Sequence, residues 1–151
     1  MADRTPTVLI VDDEEMVITS VRAVLMLETD YRVEGFTDPT RAVEYLKNGP
    51  VDMVVSDYLM PKLNGLQLLK AAKELQPEAT RVLLTGHADK QSAIEAINQV
   101  ALYHYVEKPW ENAALLLVVR NGVERAQLLR ELRDSQTSLR DIRARLVKAF
   151  L

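Results

Sequence analysis

The chain alternates five times between a short apolar run and an amphipathic segment, and that alternation limits what it can fold into. The runs are "TVLIVDD" (7–13), "YRVEGFT" (31–37), "VDMVVSD" (51–57), "TRVLLTG" (80–86) and "LYHYVEK" (102–108). Each has the length of a strand, and β-branched or aromatic residues recur in all of them. Helix patterns lie between them. "EEMVITSVRAVLMLET" (14–29) places Val17, Val21, Val24 and Leu25 at helical spacing. Asp38 before Pro39 is an N-cap followed by a first-turn proline, and that helix stops at Asn48-Gly49. "YLMPKLNG" (58–65) reads as a loop punctuated by Pro61 and Gly65, with the helix "LQLLKAAKEL" after it. "DKQSAIEAINQV" (89–100) reads as a helix capped near Asp89. Pro109 ends the fifth strand, and from Glu111 a last helix runs toward residue 151.

Five strand-then-helix units in one small domain predict an α/β fold, a doubly wound parallel sheet with helices on both faces. Right-handed crossovers leave few topologies, and at five strands the common one is the flavodoxin-like order 2-1-3-4-5. A length of 151 residues suits one domain with an appendage. The division expected is a domain over 1–125 and a helical extension over 126–151. In such sheets ligands bind outside the carboxyl ends of the strands. Asp12 and Asp13 end the first strand, Asp57 the third, Thr85 the fourth and Lys108 the fifth. These four strands are neighbours in the expected order, so three carboxylates, a hydroxyl and an ammonium converge on one rim. Crowded carboxylates need a positive partner. Carboxylate oxygens completed by water are the ligands Mg²⁺ prefers. Taken singly, each residue has a bland reading as a solvated acid, a surface lysine or a turn threonine. Their joint arrival at successive strand ends favours the functional one.

"VLIVDDE", "VVSDYLMPKLNG", "LLTGHAD" and "YVEKPW" resemble the receiver domain of bacterial two-component response regulators over about residues 7–125. The resemblance implies a regulatory domain that assists its own modification rather than an enzyme acting on a separate substrate. Asp57 would be phosphorylated by a histidine kinase. Asp12 and Asp13 would hold Mg²⁺ with Asp57, and the backbone carbonyl of Leu59 would complete the protein ligands. Thr85 would bind a phosphoryl oxygen, and Lys108 would pair with the phosphoryl group, across a Lys108–Pro109 bond expected to be cis. Tyr105 would follow Thr85 inward, although plain strand packing beside Tyr103 explains it equally well from the residues alone. The message would pass through the helix over 89–100, the fifth strand and the last helix. Leu59 and His87 occupy the two positions that flank the path of the dephosphorylating water in the family. An apolar Leu59 would screen that water and His87 could orient it, which leaves the lifetime of the phosphorylated form open.

Beyond the resemblance, the last helix carries its own pattern. Leu128, Leu132, Leu139, Ile142 and Leu146 fall at heptad spacing, with Ser135 in the gap. The favoured reading is a two-stranded parallel coiled coil making a homodimer; the rival is an amphipathic helix folded back on the domain. Residues 120–151 carry eight Arg or Lys against four acids, but these are interleaved without a recognition-helix motif, which argues against nucleic acid. There are no cysteines, hence no thiolate sites. No apolar run is long enough for a bilayer and no leader pattern is visible, so the expectation is a cytoplasmic protein. The apolar pattern still runs at "VKAFL", which suggests an output domain beyond it. "LLTGHAD" and "YHYVEKPWEN" resemble receivers attached to HD-GYP phosphodiesterase or sigma-54-type activator modules. Two rivals remain. A haloacid-dehalogenase-type phosphatase would want an acid where Leu59 stands. A phosphorylation-independent dimerisation adaptor on the same scaffold would have no use for the acids.

Overall fold

The computed structural model describes residues 4–86, 91, 94, 95 and 99–149. His87 and most of the expected helix over 89–100 lie outside the described residues. The described elements run β1 (Thr7–Val11), α1 (Glu15–Glu28), β2 (Arg32–Phe36), α2 (Pro39–Asn48), β3 (Met53–Asp57), α3 (Gly65–Leu75), β4 (Thr80–Thr85), β5 (His104–Glu107) and α4 (Asn112–Ala149). All strand pairs are parallel, and the sheet order is β2-β1-β3-β4-β5, as the sequence predicts.

The sheet is covered on both faces, which is why its central strands read as continuous apolar runs. Alternate residues serve alternate faces. Val8, Ile10, Met53, Val55, Val82 and Leu84 pack with Ile18, Val21 and Leu25 of α1 and with Leu115, Val119 and Val123 of α4. Leu9, Val11, Val54 and Leu83 pack with Ala42 and Leu46 of α2 and with Leu68, Leu69 and Ala72 of α3. Each such side chain removed from water contributes about 1.5–3 kcal/mol.

Local details refine the sequence reading. The buried stripe of α1 is centred on Ile18, Val21 and Leu25, with Val17 only partly buried. β3 starts at Met53 rather than Val51, and just before it the Asp52 carboxylate accepts from the Thr7 amide at 2.7 Å. α2 is capped as expected: Asp38 accepts from the Thr40 amide. The loop read over 58–65 ends in a helix start. Asn64 accepts from the Gln67 amide while Gln67 accepts from the Asn64 amide, both at 2.9 Å, a reciprocal capping box. α4 lies close against the sheet at Gly122, where any Cβ would collide with the Met53 methyl group. There Thr80 Oγ1 donates to the Gly122 carbonyl at 2.6 Å. Every side chain from 131 to 149 is exposed. No helix is long and apolar enough to cross a membrane, among the described residues.

Candidate functional site

The sheet brings the strand-end residues to one rim. Asp12 follows the last residue of β1, which pairs with Ser56, and Asp57 is the next residue of β3. Asp57 pairs with Leu84, so Thr85 follows directly on β4. Lys108 stands just past β5, where its amide donates to the Thr85 carbonyl at 2.8 Å. The Lys108–Pro109 bond is cis.

Lys108 Nζ donates to Asp12 Oδ2 at 2.9 Å and to Asp57 Oδ1 at 3.1 Å. It is the shared counter-charge of two carboxylates that would otherwise repel. Asp12 is fully buried, and its second oxygen accepts from the Glu14 amide at 2.9 Å. That bond places Asp12 under the start of α1, whose own N-cap, Glu14, makes no side-chain cap. Asp13 stays exposed, yet Asp12, Asp13 and Asp57 each offer an oxygen within 4.8 Å of the others. Three carboxylate oxygens so placed, one of them on the solvent side, fit a hard divalent cation that keeps several waters.

Burial pushes the Asp57 carboxyl up from the ordinary carboxylate range. The charge on Asp12 pushes the same way, and Lys108 pulls back without cancelling the shift. For Lys108 burial is the largest single influence and favours the neutral amine. The hydrogen bonds and charges of Asp12 and Asp57 together outweigh it and raise the ammonium above its usual value. The rim is thus short of positive charge at Asp57 even with Lys108 in place, the condition that favours a cation.

Thr85 is fully buried, and among the described residues its Oγ1 has no hydrogen-bond partner. A buried hydroxyl left unpaired costs about 1–3 kcal/mol, so this one is poised for an acceptor. The floor of the rim is tight. A Cβ on Gly65, the first residue of α3, would be driven into the Asp57 carbonyl oxygen. Tyr105 of β5 is half-buried against the α2–α3 face, its ring stacked on His104 at 5.8 Å. The Leu59 side chain is 61% exposed and joins neither core. The five seam residues of α4, Leu128, Leu132, Leu139, Ile142 and Leu146, are 45–64% exposed.

Sequence reasoning missed a second polar centre at the opposite end of β3. Asp52 is fully buried and accepts from Arg4 at 2.9 Å, from the Thr7 amide and from Arg130. An acid beside the apolar run of "VDMVVS" was its only signal. Arg81 was missed as well: it is buried and donates to the carbonyls of Val100 and Ala79 at 3.0 Å each.

Comparisons with known proteins agree with this geometry. The profile of the response regulator receiver domain matches residues 8–120. The chain is 34% identical over 124 residues to the hydrogenase transcriptional regulatory protein HoxA of Cupriavidus necator, covering 82% of this chain and 25% of that protein. It is 31% identical to a putative response regulator, NtrX-like, of Rickettsia bellii, covering 89% of this chain and 28% of that one. The chain therefore spans about a quarter of the length of the curated relatives it matches. Among solved structures, the signal receiver domain of an HD domain-containing protein from Pseudomonas fluorescens is similar with a TM-score of 0.80 and 33% identity, covering 87% of this chain and 96% of that one. With an acidic rim at the carboxyl edge of a 2-1-3-4-5 sheet and a family profile spanning most of its length, the chain belongs to the response regulator receiver domains.

Proposed function

We propose that this chain is a phosphorylation-dependent signalling switch in which Asp57 accepts a phosphoryl group from a histidine kinase with the help of Mg²⁺. The observation that carries the reading is the bridge from Lys108 to both Asp12 and Asp57, beside the unpartnered hydroxyl at the end of the next strand. An Asp57 oxygen attacks phosphorus, the phosphorus–nitrogen bond of the donor histidine breaks, and the imidazole nitrogen keeps the electron pair. Asp12, Asp13, Asp57 and the Leu59 carbonyl would hold a magnesium ion, which when bound would neutralise charge at the transferred oxygens. Lys108 is then drawn from its carboxylates toward the phosphoryl group. Thr85 Oγ1 gains the acceptor it lacks, and the change passes to Tyr105, β5 and α4.

The same reading assigns the exposed seam of α4 to pairing with a second copy, and through it to a module outside these residues. The relatives named as transcriptional regulators support the regulatory class. Incubation with acetyl phosphate and Mg²⁺, followed by intact mass, tests the proposal. One added phosphoryl group is expected, absent from Asp57→Ala and suppressed by a chelator. No adduct, together with no response to a beryllofluoride mimic, favours a phosphorylation-independent dimerisation adaptor. Steady turnover of a free phosphate monoester favours a phosphatase.

A further inference from the structure

We propose that Arg130 and Arg133 form a latch that makes α4 part of the receiver's rigid body as far as residue 133, so that the free lever begins at Asp134. The apolar face that holds α4 on the sheet runs Leu115, Val119, Gly122, Val123 and Ala126, and there it ends. Arg130 and Arg133 lie four and seven residues beyond Ala126, so they continue the same face in cationic form. Arg130 is forked. One guanidinium nitrogen donates to the Asp52 carboxylate and another to the Val51 carbonyl. Two bonds from one planar group fix direction as well as distance. Arg133 donates to Glu78, in the turn before β4. Without these bonds, nothing buried would hold the helix beyond Ala126, and a lone exposed helix bends and frays readily.

The latch sits at the far end of the strand that carries Asp57. Asp52 immediately precedes β3, roughly 17 Å from Asp57 at strand rise. It also leaves the apolar seam free. Leu128 and Leu132 lie two residues to either side of Arg130, which puts them on the other side of the helix, where they are 57% and 55% exposed. The first two layers of the seam are therefore presented at an angle set by the sheet. Use of this angle to orient a partner rests on the pairing proposed above; the latch itself does not.

The chain has no cysteine, so a spin-label pair at Lys73→Cys on α3 and Gln136→Cys, one turn past Arg133, is unambiguous. Diluting labelled with unlabelled full-length chain makes the pair report distances within one chain. The latch predicts one narrow distance, lost to a broad distribution in Arg130→Gln and in Arg133→Glu. Asp52 keeps Arg4 and the Thr7 amide in the first variant, and the second is a surface change. The swap Arg133→Glu with Glu78→Arg is expected to restore the narrow distance. Variants as narrow as the parent, a parent already broad, or a swap that stays broad would each overturn the latch. Light scattering separates the two proposals: a monomeric chain whose distance still broadens in the variants keeps the latch and removes the pairing.

Discussion

Asp57 sits between opposing influences, and the balance has a sign that can be measured. Its carboxyl is held above the ordinary range, so the folded state binds its proton more tightly than the unfolded chain does. The stability lost to ionisation therefore appears as pH rises through that range and persists at neutral pH. Asp57→Asn is expected to raise the thermal midpoint at pH 7 in chelator, with the gain fading in acid. Lys108 has the opposite linkage. Its raised value gives a contribution fully present below the usual lysine pKa and lost as pH climbs through the folded one. Thr85→Val, which replaces an unpaired hydroxyl by a methyl group, is expected to stabilise the unmodified protein by about 1 kcal/mol in urea melts while blunting the response to phosphate mimics. A loss of stability would mean that the hydroxyl is already engaged. Asp12, Asp13, Asp57, Thr85 and Lys108 were legible as a group because each ends a recognisable strand. Asp52 was not, since its partners lie 45 and more residues away.

The helices were legible where their end signals were adjacent in sequence. Asp38 and Pro39 announce α2 directly, whereas Asn64-Gly65 reads as readily as a turn, and only the bond returned by Gln67 makes it a helix start. Asn64→Ala is expected to cost about 1 kcal/mol. Gly65→Ala is expected to cost about 1–3 kcal/mol, because its methyl group must displace the Asp57 main chain. Equal denaturation midpoints for these variants and the parent would contradict the packing. The α1 stripe was read one residue off-centre because Val17 and Ile18 are both apolar, and only the sheet decides which faces it.

The sheet joins two centres, an acidic rim at its carboxyl edge and the Asp52–Arg130 contact at the opposite end, with α4 leaving from the second. The seam was legible as a heptad; its exposure follows from the fold, since no part of the domain folds over Leu139, Ile142 or Leu146 among the described residues. Leu139→Lys with Ile142→Lys is expected to convert a dimer to a monomer in light scattering while leaving the thermal midpoint of the domain unchanged. The proposed switch depends most on the modifiable oxygen of Asp57, and reduction of the treated protein with borohydride tests it directly, because an aspartyl phosphate is reduced to homoserine. After acetyl phosphate and Mg²⁺, tandem mass spectrometry should find homoserine at position 57 and none when the metal is chelated; homoserine at another acid, or an equal yield without the metal, would contradict it.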